Sequence, residues 1–208
     1  MPATPKRRWY QFSLKALLVG MLLLCLGPGG FVAYEQNKAR RQKGAVEAIE
    51  ELGGVVGYGR NVSARSALLR QILGDDTFGG VESIDFWNPS RVTDADLVHL
   101  ACLNRLTTLH LDNSQVTDVG LKHLASLKNL SRLHLNNTQV TDAGLKHLAG
   151  LESLSVLYLD RSRVTDIGLI HLAGLKDLMY LNVYRTQVTD AGVAELQKSL
   201  PNCMIRHR

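Results

Sequence analysis

From Val92 onward the chain repeats one hydrophobic and polar pattern. Val-Thr-Asp stands at residues 92, 116, 140, 164 and 188, always 24 residues apart. After the tripeptide, Leu121, Leu124 and Leu127 recur in steps of three. Thr117 or Asp118 stands where a helix N-cap belongs, so this half predicts a short helix. In the other half Leu109 and Leu111 alternate with Thr108, His110 and Asp112, the two-residue period of a strand. One turn therefore reads strand, corner, short helix. No single turn can bury the leucines of both halves, so the turns must stack and share a core. The pattern predicts an α/β solenoid over residues 81–208.

The ends of the array depart from the unit. Val81–Trp87 is an irregular first strand. Ile84 and Phe86 align with Leu109 and Leu111 only if one extra residue is allowed, most simply Pro89. Leu200–Ile205 reads as a terminal edge strand, whose brevity and basic tail discourage further strand addition. Upstream, Val46, Ile49 and Leu52 mark a helix that Gly53-Gly54 ends. Val55, Val56 and Tyr58 suit a short strand, and Ser66–Leu73 a second helix. Residues 44–80 are thus expected to form a mainly helical N-terminal cap.

Ala16–Tyr34 is nineteen residues without a charge, about 28 Å as a helix and close to a bilayer core. A basic tail (1–15) precedes it and a basic juxtamembrane linker (35–43) follows. Trp9, Tyr10, Phe12 and Tyr34 place aromatics at both edges, as membrane interfaces favour. The expectation is a single-pass signal anchor. A cleaved signal peptide is the competing reading, though no A-x-A-like site follows the apolar run. Four cations flank the span on each side, so charge does not orient it. The short tail favours tail in, with the repeat domain extracytoplasmic.

The charge balance then takes on a different meaning. The 208 residues carry +5 at neutral pH, which alone would suggest nucleic acid. But residues 1–43 hold eight cations and one anion, and residues 44–208 hold sixteen cations and eighteen anions. The basic part faces the membrane, and the repeat domain is slightly acidic. No nucleic-acid partner is expected. Cys25, Cys102 and Cys203 are too few for a disulfide scaffold.

The unit V-T-D-x-G-L-x-H-L-A-x-L-x-x-L-x-x-L-x-L-x-x-[ST]-x resembles the leucine-rich repeat family. Its L-x-x-L-x-L core falls at Leu106–Leu111, Leu130–Leu135, Leu154–Leu159 and Leu178–Val183. The V-T-D-x-G-L opening is similar to the cysteine-containing subclass known from F-box proteins. In place of that subclass's Asn or Cys stand Ser114, Thr138, Ser162 and Thr186, whose hydroxyls suit bonds to the corner backbone. The chain also resembles small bacterial membrane-anchored repeat proteins, through Lys6–Tyr34 and the closing Leu200–Ile205. The resemblance implies a right-handed horseshoe with the parallel sheet on its concave face. No F-box-type helical segment precedes the repeats, which counts against an adaptor role.

Several polar columns invite a chemical reading. Asp94, Asp118, Asp142, Asp166 and Asp190 could form a calcium ladder, but one carboxylate per turn beside a helix start points to helix capping. His99, His123, His147 and His171 read as semi-exposed structural residues. His110 and His134, with Asp112 and Tyr158 nearby, are the better metal candidate. No nucleophile motif or phosphate loop is present. No cofactor is expected, and the reading is non-catalytic.

The outward strand positions vary where the leucines do not. One column runs Thr108, Arg132, Val156, Tyr180; the next His110, His134, Tyr158, Asn182; the third Trp87, Asp112, Asn136, Asp160, Tyr184. Arg161 and Arg185 follow. Tyrosine and arginine are enriched at binding hot spots. Tyr158, Tyr180, Tyr184, Arg132, Arg161, Arg185, His110 and His134 are therefore the candidate contact residues for a protein or peptide partner. The rival readings are a self-assembling structural repeat and a metal-dependent enzyme using His110 and His134.

Overall fold

Among the described residues, seven strands form one sheet in sequence order: β1 (Gly54–Tyr58), β2 (Val81–Phe86), β3 (Thr108–His110), β4 (Arg132–His134), β5 (Val156–Tyr158), β6 (Tyr180–Asn182) and β7 (Met204–Arg206). The computed structural model describes residues 34, 36–58, 80–86 and 88–208. The chain divides into two compact units, Met1–Ala39 and Arg40–Arg208. The described residues of the first, 34 and 36–39, are helical. Most of the expected anchor (16–34) and the expected helix at Ser66–Leu73 lie outside the described residues. Among those described, no helix is long and apolar enough to cross a membrane.

In the second unit residues 40–51 are helical, and Ala45 and Ile49 bury their side chains. Gly53 takes a left-handed φ of 78°, a conformation glycine adopts without steric cost, and the chain turns into β1. The expected cap thus contributes a strand as well as a helix. β1 pairs antiparallel with β2, and every later pair is parallel.

The registers follow the repeat. Leu109, Leu133 and Leu157 pair in line, then Leu181 and Ile205. Ile84 pairs with Leu109, one residue out of step with the 24-residue period, and the surplus falls in the 3-10 turn Pro89–Arg91. Four helices complete the later turns: α1 (Asp118–Leu124), α2 (Asp142–Leu148), α3 (Asp166–Leu169, continued by a 3-10 turn over Ile170–Leu172) and α4 (Asp190–Ser199). The first turn has a 3-10 helix, Asp96–Cys102, instead. Leu109, Leu133, Leu157 and Leu181 on the strands, Leu111, Leu135 and Leu159 just after them, and Leu121, Leu124, Leu145, Leu148 and Leu172 on the helical side are all fully buried. Each contributes about 2 kcal/mol of transfer free energy.

The aspartate column has a different role from the expected helix cap. The N-caps are Thr117, Thr141, Thr165 and Thr189, whose hydroxyls accept from Val119, Ala143, Ile167 and Gly192 N–H. Each following aspartate is the first helical residue, and the carboxylates of Asp118, Asp142 and Asp166 reach the next turn. Asp94 accepts from Thr117 N–H (2.8 Å) and Oγ1 (2.6 Å). Asp118, Asp142 and Asp166 hold Thr141, Thr165 and Thr189 the same way. Threonine hydroxyls thus donate to one turn while accepting within their own.

This arrangement explains the glycine of V-T-D-x-G. A Cβ at Gly120, Gly144, Gly168 or Gly192 would run into the carboxylate of the preceding turn's aspartate. In the first turn the equivalent position is Asp96 rather than glycine. Its Oδ2 accepts from Thr93 N–H and Oγ1, both at 2.8 Å, supplying locally what later turns receive from a neighbour. The Asp190 oxygens instead meet His207 Nε2 (2.8 Å) and Arg208 (2.7 Å).

The corner hydroxyls divide. Thr138 and Thr186 donate to Leu135 and Val183 carbonyls at 2.7 and 2.6 Å. The Ser114 and Ser162 hydroxyls are buried and, among the described residues, have no hydrogen-bond partner, contrary to expectation. The threonine methyl restricts χ1, and serine lacks that constraint.

Candidate functional site

Strand alternation turns Leu109, Leu133, Leu157 and Leu181 inward, which leaves the residues on either side of each on the open sheet face. The expected columns are adjacent in register: Thr108, Arg132, Val156 and Tyr180 in one, His110, His134, Tyr158 and Asn182 in the next. Identical spacing brings aromatic rings into contact. The His110 and His134 rings stack at 4.1 Å between centroids, and His134 and Tyr158 at 4.3 Å. Asn182 then interrupts the column and is buried, with its Oδ1 accepting from Tyr184 N–H at 3.1 Å. The row passes diagonally to Tyr180, 5.3 Å from Tyr158 and tilted by 51°.

Carboxylates orient the two imidazoles. His110 Nδ1 lies 3.7 Å from Asp85, and His134 Nδ1 lies 3.5 Å from Asp112. Burial, then the charge on neighbouring His134, holds the His110 pKa below the usual histidine value, against a smaller upward pull from Asp85 and Asp112. The stack therefore favours neutral His110. The near-parallel rings aim their ring-plane nitrogens side by side rather than at one centre. Among the described residues no group of three or more histidine, cysteine or acidic side chains is placed to hold a metal.

A second cluster forms around Tyr184. Arg185 and Arg206 guanidinium carbons lie 5.1 and 5.0 Å from its ring centroid. Arg206, on β7, is absent from the candidate columns above, which stop one turn earlier, its own at Asn182. Its pairing with Asn182 continues that column. Arg132 is exposed in the middle of the face. Arg161 stands apart from the ring row, with its Nε 3.8 Å from Asp160.

Arg161 and Arg185 share left-handed φ values of 57° and 54° with Asn113 and Asn137 at the same repeat position. Asparagine tolerates that region, and arginine is disfavoured there. The third column is a backbone ladder. Asp112 Oδ1 accepts from Asn136 N–H (2.7 Å), and Asn136 Oδ1 from Asp160 N–H (2.8 Å).

The helix side carries a different feature. Ile167, Ile170, Ala173, Ala191 and Leu196 line an open apolar groove of about 510 Å³ between α3 and α4.

A family model agrees with the architecture of the middle turns. The leucine rich repeat family model matches residues 104–164. Among solved structures the chain is similar to internalin C2 of Listeria monocytogenes, at 28% identity, 61% of each chain covered and a TM-score of 0.45. It is similar to a leucine-rich repeat protein of Leptospira interrogans at 21% identity, covering 52% of this chain and 33% of that one, with a TM-score of 0.39. The leucine-rich repeat ectodomain of the receptor kinase SOBIR1 from Arabidopsis thaliana is 17% identical, with 81% of this chain and 91% of that one covered and a TM-score of 0.49. The chain spans less than two thirds of the two bacterial proteins. No curated protein matches it by sequence. The family match over residues 104–164 and the strand–helix coil built on the same 24-residue unit are those of a leucine-rich repeat fold.

Proposed function

We propose that the chain is a membrane-anchored, non-catalytic binding protein that engages a protein or peptide partner through the outward face of its parallel sheet. The observation that carries the reading is the row His110–His134–Tyr158–Tyr180, four rings in contact on an open face of a repeat domain. Such rings offer large, rigid contact area at low entropic cost, and leucine-rich repeat folds are typical protein-interaction modules. The side-by-side imidazoles favour binding over metal-based hydrolysis, since their nitrogens do not converge. The uncharged segment 16–34, flanked by cations, supports anchoring by a single span with the repeats extracytoplasmic.

The test is site-specific photo-cross-linking of the full-length chain in its native membrane. A photoreactive phenylalanine analogue at position 158 is expected to capture one discrete protein, and the same group at Ile170 on the helix side is not. Equal capture from both positions, or from neither, contradicts the reading.

A further inference from the structure

We infer that the β6–β7 end of this sheet face clamps an acidic segment of the partner, with Arg185 and Arg206, both within reach of the Tyr184 ring, as the carboxylate-binding pair. The inference rests on the binding role proposed above and names the chemistry that role selects.

The first support is how the two arginines are held. Their guanidinium carbons approach one phenol ring at 5.1 and 5.0 Å. A ring under a guanidinium plane fixes its orientation and leaves the N–H edges free for a bidentate acceptor. Both arginines are exposed, and among the described residues neither has a carboxylate within ion-pair distance. Arg161 and Arg208, their neighbours in the sequence pattern, are each paired with an aspartate instead.

The second support is the polarity of the face. Its β2–β3 end carries Asp85 and Asp112, with side chains 68% and 30% exposed. Asp160 lies between the two ends. A uniform polyanion, such as a nucleic acid or an anionic membrane surface, would meet these carboxylates along the rest of the face. A peptide with its negative charge confined to one end meets the arginines there and lays neutral residues along Tyr180, Val156 and Tyr158. Charge polarity thus also fixes the direction in which the segment lies.

The experiment uses the full-length protein in detergent micelles and fluorescence anisotropy. Three labelled twelve-residue peptides serve as probes: four glutamates followed by eight neutral residues, the same with four lysines, and all glutamate. The four-glutamate peptide is expected to bind, at least tenfold more tightly than the lysine peptide. Arg185→Ala with Arg206→Ala is expected to weaken it at least tenfold, and Lys122→Ala with Lys146→Ala, the same charge change on the helix side, to leave it unchanged. Equal binding of the lysine peptide, tighter binding of the all-glutamate peptide, or an unaffected arginine variant would overturn the inference. If position 158 captures a partner and the arginine variant still holds it, the clamp fails and the binding role stands. If position 158 captures nothing, both fail.

Discussion

Asp118 holds Thr141 twice, accepting from its backbone N–H at 2.8 Å and from its hydroxyl at 2.6 Å across the step to the next turn. The same pair recurs at each later step, so the coil is tied on its helix side as well as through its sheet. Gly144 sits where a side chain would collide with that carboxylate. Three residues of the motif therefore act as one device: a threonine that receives, an aspartate that reaches forward and a glycine that makes room.

The device predicts a sign reversal. Glycine to alanine inside a helix normally stabilises by about 1 kcal/mol. Gly144→Ala is expected to destabilise instead, because the new methyl displaces Asp118. Asp118→Ala removes two charge-assisted bonds and is expected to cost about 2–3 kcal/mol. In the double variant the clash is gone, so its loss is expected to be smaller than the two single losses combined. Urea denaturation of all three measures this, and strict additivity would dissociate the glycine from the aspartate.

Arg161 is held at a left-handed φ that two other turns assign to asparagine. Asn137 Nδ2 already donates to Asn113 Oδ1 at 3.0 Å. Arg161→Asn relaxes the backbone and extends that asparagine ladder by one step. A gain of about 0.5–1 kcal/mol is expected, since left-handed non-glycine residues store at least that much strain. Thermal unfolding checks it, and a destabilised variant would show that the Asp160 contact outweighs the strain.

Cys203 is buried near the closing strand, and burial pushes its thiol pKa up from 9.0 to about 11. The folded state thus keeps a proton that the unfolded chain has lost. Stability from this group is complete below about pH 9 and declines as pH rises toward about 11. Cys203→Ala removes that decline whatever its effect on absolute stability. Denaturation between pH 8 and 11 is expected to show a shallower alkaline loss in the variant than in the parent, and parallel curves would contradict the assignment.

Much of the fold can be read from spacing alone. The leucines at Leu109, Leu111, Leu121 and Leu124 set strand, helix and core together, because a 24-residue period admits one inside and one outside. The extra residue before Val92 is readable for the same reason. The aspartate column is harder to read, since a carboxylate at a helix start suits its own helix as well as the next turn's threonine. The replacement of glycine by Asp96 in the first turn is the signal that decides between them. The ring row follows from the columns as far as Tyr158, but its diagonal step to Tyr180 depends on Asn182 being drawn inward. Arg206 stands 24 residues after Asn182, so the same column, carried one turn further onto β7, points to it.

The most direct measurement is partner affinity for a variant with alanine at Tyr158, Tyr180, Tyr184, Arg161 and Arg185, using the protein captured at position 158 and checking that the melting temperature stays near that of the parent. At least a hundredfold loss of affinity is expected with the fold intact. An unchanged affinity in a folded variant would contradict binding through the sheet face.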